Sequence, residues 1–160
     1  MSSSTAATNR ITEEVIARRI QFVLAEAKCP NPVRDQTVTY AMRVISNFYS
    51  IGTDAGSRAV KIRCRKISRE AMSRKEKMPD SWWKETINEH QEPLEQVWTW
   101  ICKNKDTVTI KEIADRFKQW PMVLVTREED SELRKRRDLG PVERYKEAGI
   151  EIVEVEQLSS

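Results

Sequence analysis

The 160-residue sequence predicts a mainly α fold of the α+β class, an irregular helical bundle with a small C-terminal α/β element. Two observations support this. Apolar residues recur at helical spacing through most of the chain, and the short continuous apolar runs that favour strands lie near its end. A chain of this length forms one domain, or one domain with a small appendage. Apolar residues make up 39% of it and charged residues 33%, so the protein is polar but has enough apolar side chains for a core.

The sequence predicts two helices in its first third, and the second is expected at the centre of the bundle. Residues 1–9 are small and polar and predict a disordered tail. Thr12 is a suitable N-cap for a helix that ends before Pro30. A second helix is predicted over residues 34–51, and its apolar side chains cover more than half of its circumference. A helix this apolar is usually surrounded by other helices.

The third predicted helix, residues 57–77, carries most of the positive charge. Residues 57–78 contain nine Lys or Arg and two Asp or Glu, although the net charge of the whole chain is only +3. On a helical wheel the apolar positions share one face; they are Val60, Cys64, Ile67 and Ala71. Cations share the opposite face, with Lys66 beside them; they are Arg58, Lys61, Arg65 and Arg69. The spacing therefore predicts a continuous row of cations along one helix.

Short helices and strands are predicted in the rest of the chain. A short helix is expected over residues 81–90, and another begins at Pro93. Two Thr-x-x-Glu capping boxes begin further helices, one at Thr109 and one at Thr126. Apolar runs at residues 122–125 and 150–155 predict two strands. Gly149 fits the end of the helix that precedes the second strand. The resulting organisation is a helical bundle at 10–105 with a small mixed α/β element at 106–156 packed on it.

Residues 93–155 resemble a winged-helix domain in the order of their parts. The segments that carry the resemblance are PLEQVWTWICKNKD, TVTIKEIADRF and RYKEAGIEIVEV. The resemblance implies a recognition helix that contacts nucleic acid through residues 134–137. The sequence departs from the family where an apolar strand replaces the tight turn, and where Gly140 and Pro141 split the recognition helix. The alternative is a small α/β appendage in which strands 123–125 and 150–155 are parallel neighbours.

The basic helix suggests a non-enzymatic nucleic-acid-binding protein that contacts the phosphate backbone of DNA or RNA. Arginine binds phosphate oxygens bidentately, and no aromatic or amide side chains interleave this helix to read bases. The predicted contacts are Arg58, Lys61, Arg65, Lys66, Arg69, Arg134, Lys135, Arg136 and Arg137. Two alternatives to this use of the charge are a solvated face paired with the acidic C-terminal end of the chain, and contact with a membrane surface.

A second hypothesis is a protein-binding adaptor or inhibitor, which could act as a homo-oligomer. Its predicted interface is formed by exposed tryptophans, which are Trp82, Trp83 and Trp100. In this hypothesis the basic helix docks on an acidic partner. A small hydrolase is a third hypothesis, but His90 is the one histidine and no nucleophile motif lies near it.

Several function classes are disfavoured by composition. No cofactor or metal is expected, because the three cysteines are far apart and neither a Cys-x-x-Cys pair nor a phosphate-binding motif is present. The odd number of cysteines predicts reduced thiols and a cytoplasmic location. No membrane partner is expected, because no apolar run approaches the roughly 18 residues that span a bilayer.

Overall fold

The computed structural model describes residues 11–156 and confirms the fold class, with eight α-helices and a four-stranded mixed sheet in that range. The predicted tail, residues 1–9, lies outside it. The helices are α1 (Glu13–Ala27), α2 (Gln36–Ile51), α3 (Ser57–Arg63), α4 (Arg69–Lys77), α5 (Leu94–Lys103), α6 (Ile110–Gln119), α7 (Arg127–Arg134) and α8 (Pro141–Glu147). The strands are β1 (Lys66–Ser68), β2 (Thr86–His90), β3 (Met122–Thr126) and β4 (Ile152–Glu154), and a 3₁₀ turn spans Trp82–Lys84.

The helix-end signals of the sequence form as predicted. The Thr12 hydroxyl accepts a hydrogen bond from the backbone N–H of Val15 at the start of α1. Reciprocal capping boxes open α6 at Thr109 and α7 at Thr126. Gly149 has a φ of 69°, the left-handed conformation that glycine adopts most easily. These contacts span three or four residues, so local sequence is sufficient to specify them.

Helices α1, α2, α5 and α6 enclose the larger hydrophobic core. Their apolar stripes meet at side chains that are fully buried, including Ile16 and Ile20 of α1, Ile45 of α2, Ile101 of α5 and Ile113 of α6. The amphipathic periodicity therefore predicts these buried side chains correctly. The apolar face of α2 is narrower than predicted, because Tyr40 is 65% exposed.

The sheet separates two smaller cores, and its strand order is β2-β3-β1-β4. Strand β1 is parallel to β3 and antiparallel to β4, whereas β2 is antiparallel to β3. On one face Ile67 and Leu124 pack with residues of α3 and α4 and with Trp82. On the other face Val123 packs with Leu133 of α7 and Tyr145 of α8, and β3 is consequently buried along its whole length.

The prediction of a continuous basic helix over residues 57–77 is wrong. Helix α3 ends at Arg63, Cys64 has extended backbone angles, and the chain then enters β1 before Ser68 caps α4. The reason is tertiary: β1 lies inside the sheet, where hydrogen bonds to β3 and β4 replace the helical ones. The inward positions Cys64 and Ile67 are apolar in either conformation, so the spacing of apolar residues does not distinguish the two.

Two further predictions about the sheet are corrected. Residues 81–90 form the 3₁₀ turn and strand β2 rather than a helix, so the segment 10–105 is not entirely helical. The strands at 122–126 and 152–154 are not parallel neighbours, because β1 lies between them and pairs with β4 in the antiparallel sense.

The order of parts at residues 93–155 is not that of a winged helix. Helix α6 leads into the central strand β3, which pairs with β1 and β2, and β4 pairs with β1 rather than forming a wing hairpin. None of the helices described between residues 11 and 156 is long and apolar enough to cross a bilayer.

Candidate functional site

The cations predicted to form one row are dispersed by the break between α3 and α4. The Arg69 guanidinium forms a bidentate ion pair with Glu151, with N–O distances of 2.7 and 2.8 Å. Glu151 raises the pKa of Arg69, and Arg69 lowers the pKa of Glu151. Arg65 is exposed between α3 and β1, and its carbonyl accepts a hydrogen bond from Val155. Lys66 donates to the side-chain oxygen of Gln91 at 3.3 Å.

Arg74 of α4 is a second cation of this segment that pairs with carboxylates. Its guanidinium lies 3.5 Å from Glu70, 3.8 Å from Glu85 and 3.7 Å from Glu128. Intramolecular pairing, which the sequence leaves open as an alternative, therefore accounts for Arg69 and Arg74.

Lys61 points toward the protein. Its ammonium donates to the carbonyl oxygens of Trp83 at 2.6 Å and of Thr86 at 2.7 Å. Burial lowers the pKa of Lys61 from its ordinary value, and the positive charge of Arg127 lowers it further. Lys61 is thus a positive charge held in a fixed position, and it attaches α3 to the 3₁₀ turn and to the first residue of β2.

Arg58 lies on an aromatic ring. Its guanidinium carbon is 4.0 Å from the centroid of Trp83, a cation–π arrangement. Trp83 is half-buried and stands edge-on to Trp82, with ring centroids 6.2 Å apart. Trp82 is only 8% exposed and carries Lys75 over its ring at 4.7 Å. Because Trp82 is buried, its predicted role as an exposed interface anchor is wrong.

Two more cations belong to the turn that carries Trp83 or contact its backbone. The Arg127 side chain donates to the carbonyl of Lys84 at 2.6 Å, and both residues are exposed. We call the group Arg58, Lys61, Trp83, Lys84 and Arg127 the Trp83 surface. It is formed by α3, the 3₁₀ turn and the first residue of α7. Arg58 lies over the indole ring, whereas Lys61 and Arg127 bind backbone carbonyls of the turn that carries Trp83 and Lys84. Sequence reasoning misses Lys84 and Arg127, because no local pattern links them to α3.

The cations predicted from the winged-helix resemblance pair mostly within their own region. Arg134 lies 3.0 Å from Asp130, and Lys135 lies 2.8 Å from Glu132. Arg136 contacts the same Glu132 at 3.1 Å. Arg137 is exposed in the loop between α7 and α8. These pairs follow helical spacing, which explains why the run does not form a separate cationic face.

A surface groove of about 690 Å³ lies between α5 and the α7–α8 loop. It brings together Trp100 and Arg137, which the sequence assigns to different hypotheses. The Arg116 guanidinium lies 4.3 Å from the centroid of Trp100 and is bound bidentately by the buried Glu92 at 2.7 and 2.9 Å. We call this site the Trp100 groove. Arg116 is not a candidate in the sequence, because α6 shows only an amphipathic pattern there.

A buried polar network lies behind the sheet. Arg144 is fully buried and donates to Glu89 at 3.0 Å and to the carbonyl of Gln91 at 2.9 Å. Burial and the neighbouring Asp130 raise the pKa of Glu89 to about 7. The hydroxyl of Tyr145 is buried without a hydrogen-bond partner, and burial raises its pKa well above the ordinary value. Because Arg144 is inaccessible, this network holds the fold together and does not offer a binding surface.

His90 and Ser46 form a pair that resembles part of a hydrolytic site but is enclosed. The Ser46 hydroxyl lies 3.1 Å from Nδ1 of His90, and burial lowers the pKa of His90 to about 4. The adjoining cavity measures about 10 Å³, which is the space of about one water molecule. Ser46 is buried, and a cavity of this size has no room for a substrate beside it.

Comparison with known proteins gives no match to a family model, a curated protein or a solved structure.

Proposed function

We propose that this protein binds nucleic acid through the Trp83 surface. The observation that carries the proposal is the Arg58 guanidinium over the Trp83 ring, together with Lys61 and Arg127, which bind backbone carbonyls of the same turn. This surface takes the place of the continuous basic helix expected from the sequence, and it retains Arg58 and Lys61 from that prediction. It adds an aromatic ring, which the basic helix lacked.

The chemistry of the surface suits a phosphate backbone. Guanidinium groups bind phosphate oxygens bidentately, and neutralising phosphates releases condensed counterions. Lys61 is already fixed by two carbonyl oxygens, so little side-chain entropy is lost when a phosphate approaches it. The carboxylate that follows Lys84 in the chain, Glu85, lies beside Arg74, which reduces its repulsion of an anionic ligand.

The proposed activity is binding without chemistry, in a reducing, cytoplasmic setting. The hydrogen-bonded carboxyl groups of Glu89 and Asp130 belong to the network around the buried Arg144, which does not offer a binding surface. The His90 and Ser46 pair has no room for a substrate. The cysteines Cys29, Cys64 and Cys102 are free thiols, which fits a reducing compartment.

The test is the affinity for a fluorescein-labelled 20-nucleotide DNA, measured by anisotropy. The informative variant replaces Arg58, Lys84 and Arg127 by Gln and leaves Lys61 in place, because Lys61 also holds the fold. The matched control replaces three exposed cations elsewhere by Gln; they are Lys28, Lys111 and Lys118. Both triple variants lose three positive charges, so a difference between them reports position rather than net charge.

We expect the Trp83-surface variant to bind at least about tenfold more weakly, because each lost phosphate contact removes about one counterion-release contribution. The control should remain within about twofold of the wild type. Equal losses in the two variants would contradict a defined site, and absence of binding by the wild type would refute the function itself.

A protein-binding adaptor is the second candidate, supported by an open groove of about 990 Å³ beside α3. Ile62 is 58% exposed at this groove, and Ile67 and Met72 also line it. Lys61 and Lys75 lie at the same groove and would suit an acidic partner. Sedimentation velocity of the wild type and of Ile62→Ser tests the self-associating form of this candidate. A wild-type dimer that the substitution dissociates would support it.

A further inference from the structure

The Trp100 groove contains a planar cation that the protein holds rigidly. In-plane N–H groups of Arg116 donate to both oxygens of Glu92, and the guanidinium carbon lies over the Trp100 ring, 4.3 Å from its centroid. Glu92 is 7% exposed, whereas the Arg116 side chain is 29% exposed and lines the groove. The guanidinium is therefore fixed before any ligand arrives.

The rest of the groove offers the polar groups that a nucleotide requires. Lys103 and Arg137 line it and can contact a phosphate group. The Gln96 amide donates to the carbonyls of Arg137 and Leu139, which fixes the α7–α8 loop against α5. The side-chain oxygen of Gln96 is not used in these two bonds. The groove volume of about 690 Å³ lies within the roughly 300–1,000 Å³ of typical small-ligand sites.

We propose that the Trp100 groove binds an unpaired nucleobase, which stacks on the layer formed by Arg116 and Trp100. Unpaired bases stack on aromatic rings and on arginine planes, whereas bases inside a duplex present only their edges. The part of this inference that concerns a nucleic-acid strand rests on the proposed function. It makes single-stranded nucleic acid the class of ligand. The lining also includes the carboxylates Glu95 and Asp138, so the groove has little net charge and stacking supplies the selectivity.

The experiment follows the indole N–H resonances of the tryptophans by ¹H–¹⁵N NMR spectroscopy of the full chain. The Trp100 signal is assigned with Trp100→Phe, and the Trp83 signal with Trp83→Phe. Three probes are titrated separately: deoxyadenosine 5′-monophosphate, a single-stranded 10-mer of mixed sequence, and the same 10-mer as a duplex. The two resonances thus report the two sites in one measurement.

The variant Arg116→Lys keeps the charge opposite Glu92 and removes the planar face. Arg18→Lys is the control, because it makes the same substitution at an exposed residue of α1. We expect the mononucleotide and the single strand to shift the Trp100 resonance and the duplex to leave it unchanged. Arg116→Lys should weaken the mononucleotide at least about fivefold, from the low end of base-stacking energies.

Each outcome distinguishes the two proposals. If the single strand shifts Trp83 and not Trp100, the groove proposal is overturned and the Trp83 surface stands. If the mononucleotide shifts Trp100 but neither 10-mer binds, the groove proposal is supported and the proposed function is not. Should Arg116→Lys unfold the protein, the Trp100 resonance of the wild type decides alone, and an unshifted signal at saturation with the single strand overturns the groove proposal.

Discussion

Replacing Arg144 by Met tests the buried polar network, and we expect it to destabilise the protein far more than the loss of any exposed ion pair. Arg144 is fully buried and contacts the Glu89 carboxylate and the carbonyl oxygens of Gln91 and Leu133. Removing one partner of a buried ion pair costs about 3–5 kcal/mol. The carbonyls that lose a donor add to this, at about 1–3 kcal/mol for each group left without a partner.

At pH 8, where Glu89 is mostly ionised, the expected loss is therefore at least about 4 kcal/mol, a large part of the roughly 5–15 kcal/mol that holds a domain folded. Urea unfolding followed by circular dichroism measures it. With a slope of about 2 kcal/mol per molar urea, the midpoint should fall by about 2 M. The control is Arg18→Met, which removes an exposed ion pair with Glu14 and should cost no more than about 1 kcal/mol.

The loss should also depend on pH in a defined direction. The folded-state pKa of Glu89 is about 7, above its ordinary value of 4.5, so its contribution to stability is fully present below pH 4.5 and is lost as pH rises through 7. Without Arg144 the folded-state pKa of Glu89 rises further, so the variant continues to lose up to about 1.4 kcal/mol per pH unit above 7. The difference from wild type should be larger at pH 8 than at pH 5. A variant within about 1 kcal/mol of wild type at both pH values would refute this reasoning.

Three further predictions concern caps, thiols and histidine. Thr126→Ala removes the hydroxyl that caps α7 and should lower the unfolding free energy by about 1 kcal/mol, measured by urea unfolding. Cys64 is buried, and burial raises its pKa to about 11, whereas Cys29 is exposed. A thiol reagent at pH 7.5 should therefore modify Cys29 within minutes and Cys64 only in urea. Rapid modification of Cys64 in the native state would contradict the fold around β1. Burial lowers the folded-state pKa of His90 to about 4, so its contribution to stability is lost as pH falls from 6.5 toward 4. The midpoint difference between wild type and His90→Asn should therefore shrink over that range.

Local signals in the sequence predict the helical bundle well. The cap at Thr12 and the boxes at Thr109 and Thr126 involve atoms three residues apart, so the sequence around each helix end contains all the information. The same holds for the apolar stripes of α1 and α2, because a stripe at helical spacing has a core-facing side in any bundle.

The segment at 57–77 could not be predicted in the same way. Strand β1 is specified by hydrogen bonds to β3 and β4, whose residues lie more than 50 positions away along the chain. Cys64 and Ile67 satisfy a helical stripe and also face the core from an extended segment, so periodicity favours the longer element. The charge of the segment follows from the sequence, but its geometry depends on the sheet.

The candidate site is predictable in part for the same reason. Arg58 and Lys61 are candidates from their charge, and Trp83 from its aromatic side chain, but the sequence assigns them to different functions. Only the packing of α3 against the 3₁₀ turn brings them together. The buried Arg144 carries no signal at all, because an arginine in a short polar helix is usually exposed.

The salt dependence of single-strand binding tests the role of the Trp83 surface most directly. Three or four phosphate contacts at this surface predict a slope of about −2 to −3 when the logarithm of the association constant is plotted against the logarithm of salt concentration, from about −0.7 per contact. The Gln variant of Arg58, Lys84 and Arg127 should flatten the slope by about 2, and the control triple variant should leave it unchanged. The same slope in all three proteins would contradict phosphate binding at this surface.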